Sequence, residues 1–178
     1  MKWNISKEFD FCYGHRVWSQ ELNPDFALDS CLVCRHLHGH QGKIIIHLES
    51  SNLKNGMVTD FKHLNWFKQF LDATLDHKFI IDINDPLYET LLPHYKNKNN
   101  LIEHKEGFKT FDLNIIKDEP IHIHEMYEGF IIVDFVPTSE NLSAWLLNII
   151  QEKMSQIDIK VSHVEFLETP KSKSTVYA

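Results

Sequence analysis

Along the first fifteen residues apolar and polar side chains alternate: Trp3, Ile5, Phe9, Phe11, Tyr13 and His15 share one face, and Asn4, Ser6, Glu8 and Asp10 the other. A period of two predicts a half-buried strand that ends on its apolar side at His15. Residues 41–50 predict a second strand, in which Ile44, Ile46 and Leu48 keep the phase of His38 and His40 just before it. Asn55-Gly56 signals a chain reversal before Val58. Helical spacing then takes over at Phe61, Leu64, Phe67, Leu71 and Leu75, with Asp60 as cap and Asp76-His77 at the end. Pro137 precedes a second helix, capped by Thr138 or Ser139, striped by Leu142, Trp145, Leu146 and Ile149, and ending near Ser155. Residues 159–167 are rich in β-branched and aromatic side chains and predict a strand, with a short return strand over 175–178.

The order strand, strand, helix, helix, strand, strand describes one α+β domain over residues 1–178. Residues 86–134 break the pattern with the polar run Lys96-Asn97-Lys98-Asn99-Asn100 and an apolar stretch at 130–133. A structureless loop of that length is unusual in a compact domain. The segment is therefore expected to be an insertion with its own hairpin, 108–116 against 121–133. No fixed-period repeat is present.

At 178 residues and 43% hydrophobic, the chain is long enough to bury a core. Its formal charge of -7 argues against a nucleic-acid partner, which would demand clustered Lys and Arg. No basic segment leads into an apolar run, and no stretch reaches the roughly 18 apolar residues of a membrane span. A soluble, cytoplasmic protein without a membrane partner is expected. Cys12, Cys31 and Cys34 are too few for a disulfide framework and fit a reducing compartment.

The candidate chemistry lies in Cys34-Arg35-His36-Leu37-His38-Gly39-His40 together with His15. Three imidazoles without a fourth protein ligand are the pattern of a catalytic zinc with one open position. The competing arrangement, a closed structural site of Cys31, Cys34, His38 and His40, leaves His15 idle and lacks the helical spacing such histidines usually have. Cys34 can serve as nucleophile or base if a neighbouring imidazole or metal favours its thiolate. Asp76-His77 offers the carboxylate–imidazole partner for that thiol. His122-Ile123-His124 repeats the one-apart spacing without a third ligand and is read as solvent-facing or structural. Glu168, ending a strand, is a simple surface charge or a carboxylate that pairs with a guanidine-like ring edge.

Six motifs carry a resemblance to a known family: Phe11 to His15, Cys34 to His40, Val58-Thr59-Asp60-Phe61, Leu75-Asp76-His77, Pro137-Thr138-Ser139-Glu140-Asn141 and Leu167-Glu168-Thr169. In this order they resemble the 6-pyruvoyl-tetrahydropterin synthase family, most closely its queuosine-pathway branch. The resemblance implies the tunnelling fold, a four-stranded antiparallel sheet with two helices on one face, assembled into trimer-based oligomers, commonly homohexamers. It implies Zn2+ on His15, His38 and His40, with Cys34 as the proton-abstracting residue and Asp76 and His77 completing its relay. It further implies Glu168 as the anchor of the pterin ring, and Thr138, Ser139 and Glu140 in a loop that helps to hold that ring. The implied substrate is 7,8-dihydroneopterin triphosphate, and the products are 6-carboxy-5,6,7,8-tetrahydropterin, acetaldehyde and triphosphate. Elimination of triphosphate to a pyruvoyl product is the alternative within the family, and a non-catalytic zinc- or pterin-binding module is the alternative outside enzymes. A folate-linked branch, with a glutamate working near the cysteine position, is disfavoured because no acidic residue lies between Cys31 and His40. Arg16, Arg35 and the scattered lysines give no ranked choice for the triphosphate.

Overall fold

Alternation produces the first long strand. In the computed structural model, which describes residues 1–178, β1 (Trp3–His15) buries Phe9, Phe11, Tyr13 and His15 and exposes Asn4, Ser6, Glu8, Asp10 and Cys12. β2 (His38–Ser50) buries Ile44, Ile46 and Leu48, and it starts at His38, so the histidine pair lies inside the strand. The reversal that follows is closed by reciprocal backbone bonds between Lys54 and Met57, of 2.9 and 3.1 Å. Its central residues, Asn55 at φ 53 and Gly56 at φ 79, take the left-handed conformation that a tight two-residue turn demands.

The first helix starts later than its apolar spacing suggests. Asp60 accepts the Lys62 N–H at 2.8 Å and caps a 3₁₀ turn, Phe61–Leu64, ahead of α1 (Asn65–Thr74). Phe61 is consequently 48% exposed, whereas Leu64, Phe67, Leu71 and Leu75 are fully buried. Then come β3 (Lys78–Asp82), α2 (Tyr88–Leu91), β4 (Leu101–Glu103), β5 (Lys109–Phe111), α3 (Ile121–Glu128), β6 (Phe130–Val133), α4 (Ser139–Ser155), β7 (Lys160–Thr169) and β8 (Ser172–Tyr177). Thr138 caps α4 by accepting the Asn141 N–H at 3.2 Å.

All eight strands join one sheet in the order β4-β5-β6-β3-β1-β2-β7-β8. This corrects the expected four-stranded antiparallel sheet. β3 pairs parallel to β1 and to β6, so the sheet is mixed, and the segment after α1 contributes strands of its own. The expected hairpin is also revised. β5 does meet β6 antiparallel, with Lys109 opposite Ile132, but residues 121–128 form α3, because Ile123 and Tyr127, four apart, share the helix face that packs on the core while Ile121 stays exposed.

By its contacts the chain divides into two compact units, and β1 and β2 run through both. The first comprises Met1–Cys12, His40–Asp76 and Thr138–Ala178. Here α1 and α4 cover the apolar face of the sheet: Phe67 meets Phe9 edge-on at 5.3 Å, and Phe70 of α1 meets Trp145 of α4 at 6.5 Å. The opposite face carries polar and charged side chains. The second unit comprises Tyr13–Gly39 and His77–Pro137. Its core is Ile81, Tyr88, Leu92, Tyr95, Phe111, Ile116, Tyr127 and Ile132. The buried phenols are satisfied: Tyr88 Oη donates to the Tyr95 carbonyl at 3.3 Å, Tyr95 Oη donates to the Asp112 carbonyl at 2.9 Å, and Tyr127 Oη accepts the His94 N–H at 3.2 Å. Burial pushes the Tyr88 and Tyr95 hydroxyls up to about 12.

At the far end of β2, Glu49 is gripped by Lys160 at 2.6 Å and Lys2 at 2.7 Å. These partners, Lys160 first, pull its carboxyl from 4.5 to about 2. A folded pKa below the unfolded one gives stability that is present above the unfolded value and lost as pH falls through the folded value. The thermal midpoint of the parent should therefore fall more steeply from about pH 4.5 to about pH 2 than that of Glu49→Gln. Parallel melting curves for the two proteins across that window would refute the linkage.

Candidate active site

His15 closes β1 as a fully buried residue, and its Nδ1 lies 2.7 Å from the Pro137 carbonyl. His38 opens β2 with Nδ1 at 2.8 Å from the His36 carbonyl. A carbonyl oxygen only accepts, so both Nδ1 atoms carry the proton and both Nε2 atoms present a lone pair. Backbone carbonyls on the second ring nitrogen are a typical outer support of metal-binding histidines. The two rings lie 4.5 Å apart. His40 follows on the same face of β2, and one ligand atom from each of His15, His38 and His40 lies within 4.8 Å of the others. Three neutral imidazoles on continuous strands suit a first-row divalent ion.

Gly39, between the two β2 histidines, allows this arrangement. A Cβ at that position would sit 2.8 Å from the Tyr13 carbonyl oxygen, a backbone atom that cannot swing aside. The absent side chain lets the chain at Tyr13 approach as closely as it does.

Cys34 sits half-buried in the 3₁₀ turn Val33–Arg35. The Gln20 side chain accepts its backbone N–H at 2.9 Å, and Val17 N–H donates to its carbonyl at 2.7 Å. Arg35 in turn donates to the Gln20 carbonyl at 2.9 and 2.5 Å. Arg16 donates through Nε to the Arg35 carbonyl at 2.9 Å and forms a buried ion pair with Asp85 at 2.5 Å. Burial pushes the Asp85 carboxyl up, against the Leu87 N–H and Arg16, which favour the ionised form. Arg16 is 7% exposed, so its charge is spent on fixing this turn rather than offered to a solvent-borne phosphate.

Asp76 follows α1, and its Oδ1 accepts the Cys12 N–H of β1 at 2.7 Å. His77 adopts φ 59, a left-handed conformation that is uncommon for a residue with a Cβ, and it turns the chain into β3. Glu168 on β7 places Oε1 3.6 Å from His40 Nε2. Thr138 spends its hydroxyl on the α4 cap, the Ser139 hydroxyl donates to Glu140 at 3.2 Å, and the Ser139 carbonyl accepts from Ser174 at 2.8 Å. His122 and His124 lie on α3, where residues two apart point about 200° from each other, so the strand geometry that unites His38 and His40 does not apply to them. None of the three cysteines forms a disulfide. The sequence reading had no signal for Gln20, for the Pro137 carbonyl or for the Arg16–Asp85 pair.

A family model described as 6-pyruvoyl tetrahydropterin synthase matches residues 4–178. The chain belongs to that family. Among relatives of this synthase family, the 6-carboxy-5,6,7,8-tetrahydropterin synthase of Aquifex aeolicus is 30% identical over 184 residues, covering 98% of this chain and 97% of the relative. The crystal structure of an uncharacterised protein from Wolinella succinogenes is 61% identical, covers 99% of this chain and 98% of its own, and superposes with a TM-score of 0.98. The 6-pyruvoyl tetrahydropterin synthase of Plasmodium vivax shares the fold with a TM-score of 0.58 at 18% identity, covering 100% of this chain and 98% of its own. No helix is long and apolar enough to cross a membrane.

Gly39→Ala should force β1 and β2 apart beside His38 and His40, costing about 1–3 kcal/mol of stability and lowering the capacity of the three-histidine cluster to hold a metal ion. Denaturant unfolding together with a zinc titration checks both effects. Parent-like values in both would mean that the close approach at Tyr13 is not required.

Proposed function

We propose that the chain is a zinc-dependent carbon–carbon lyase of the queuosine (7-deazapurine) pathway. It converts 7,8-dihydroneopterin triphosphate to 6-carboxy-5,6,7,8-tetrahydropterin, acetaldehyde and triphosphate. The observation that carries the reading is the convergence of His15, His38 and His40, two of them with Nδ1 fixed on a carbonyl. Likeness to the 6-carboxy-5,6,7,8-tetrahydropterin synthase of Aquifex aeolicus along nearly the whole chain supports the product assignment.

On this reading His15, His38 and His40 hold the zinc. When bound, the ion supplies Lewis acidity toward the oxygens of the pterin side chain, which makes the neighbouring carbon-bound proton easier to remove. Cys34 takes that proton as its thiolate, from a turn whose backbone Gln20 and Val17 hold in place. Asp76 and His77 pass the proton onward, with the Asp76 carboxylate positioned by its bond to Cys12 N–H. Glu168 anchors the pterin by accepting from the N–H groups of its ring edge. Thr138, Ser139 and Glu140 line the ring from the start of α4, where the cap leaves backbone and carboxylate groups to contact it. A homo-oligomer built on trimers is the assembly that goes with this reading.

The family match supports elimination of triphosphate to 6-pyruvoyl-tetrahydropterin as the second reading, because the core motifs serve both reactions. Incubation of the zinc-loaded protein with 7,8-dihydroneopterin triphosphate, with products identified by mass spectrometry, separates them. Carboxy-tetrahydropterin with acetaldehyde is the expected result; a pyruvoyl product would select the second reading, and unchanged substrate would defeat both. Cys34→Ala should lower turnover about 10²–10⁴-fold, the usual worth of a positioned acid–base group, with zinc content unchanged. Retained turnover in that variant would remove Cys34 from the chemistry.

A further inference from the structure

The polar face of the sheet carries a second histidine cluster, within the unit that contains most of β2, β7 and β8. His47 of β2 stands directly opposite His163 of β7, and the register shifts immediately after His47. Such an irregularity re-aims the side chains beside it. The two imidazoles stack at 3.8 Å with planes only 14° apart. Glu165, two residues along β7 and therefore on the same face, brings its carboxylate to 3.6 Å from His47 Nε2.

Each ring has its other nitrogen engaged. His47 Nδ1 lies 3.1 Å from the Asn4 side-chain oxygen, an acceptor, so Nδ1 holds the proton and Nε2 the lone pair. His163 Nδ1 meets the Ser162 hydroxyl at 3.0 Å. His47 Nε2 is buried and has no hydrogen-bond partner. The 3.6 Å gap from this atom to Glu165 is long for a hydrogen bond. It is close to the roughly 3.3 Å that separates two ligands of one tetrahedral ion with bonds of about 2.0–2.1 Å.

We propose that His47, His163 and Glu165 form a second metal site, separate from the three-histidine cluster, for a borderline divalent cation such as Zn2+ or Ni2+. One ligand atom from each of the three lies within 4.8 Å of the others. Two imidazoles and one carboxylate are a donor set that suits these ions rather than Mg2+ or Ca2+. Burial, and then His47, pull the His163 imidazole below its ordinary range, the direction that favours a ligating ring. Lys173 is the competitor, because its ammonium forms an ion pair with Glu165 and pulls that carboxyl down. To bind there, the cation has to displace the Lys173 ammonium from that carboxylate. Tyr177, with its ring 5.2 Å from His163, flanks the cluster on the β8 side.

The test is zinc content per chain after equilibrium dialysis of the full-length protein, compared among the parent, His163→Phe, His47→Gln and His15→Ala. Each of the first two variants should bind about one zinc fewer than the parent, as one four-coordinate site is lost. Phe retains the ring stack, and His47→Gln reads the same site if His163→Phe fails to fold. Lys173→Met should tighten binding up to about fivefold, the worth of an exposed ion pair. Parent-level zinc in both His163→Phe and His47→Gln would overturn the proposal. His15→Ala keeps the two readings apart: loss there alone defeats the second site, and loss only in the other variants defeats the three-histidine site while leaving this one standing.

Discussion

Side-chain alternation in β1 and β2 binds the three clustered histidines to the packing of the core. His15, His38 and His40 lie in phase with Phe9, Phe11, Tyr13, Ile44, Ile46 and Leu48, so a slip of one residue in either strand would turn both the histidines and the core to the wrong face. The cluster therefore needs no dedicated loop. Its geometry follows from the pairing that buries the aromatic side chains, and carbonyls at Pro137 and His36 orient the rings.

Around Cys34 the organisation differs, because a 3₁₀ turn has no ladder to hold it. The Cys34 N–H donates to the Gln20 side chain, Arg35 donates to the Gln20 carbonyl, Arg16 donates to the Arg35 carbonyl, and the chain of bonds ends in the buried Arg16–Asp85 pair. Ion pairs in such surroundings contribute little net stability against their desolvation, yet losing one partner strands a buried charge. Their function here is geometric: they fix where the turn sits in an otherwise irregular stretch.

Legibility in the sequence tracked regular periodicity. β1 and α4 were readable because each has one buried face, and α4 has a hydroxyl cap. β3 is not legible because Phe79, Ile80 and Ile81 form a short apolar run with no alternation, only three residues after the preceding helix. α3 was misread as strand because its isoleucines and its His-x-His spacing imitate one. In the candidate site, the histidines stood out through residue type and spacing. Gln20 and the Pro137 carbonyl did not, since a lone amide and a backbone oxygen acquire their roles only from tertiary placement. The four-stranded expectation failed for the same reason: nothing local says that β3 joins the edge of β1.

The three phenols of the second unit, Tyr88, Tyr95 and Tyr127, are satisfied by groups on other segments of the same region. Apolar contacts alone are satisfied by many arrangements of similar volume, whereas a buried hydroxyl accepts only the few that supply a partner at the right distance and angle. A long, irregular stretch of chain with little ladder of its own thus gains conformational uniqueness from polar groups inside its core. The same bonds that add little to its stability exclude its alternative folds.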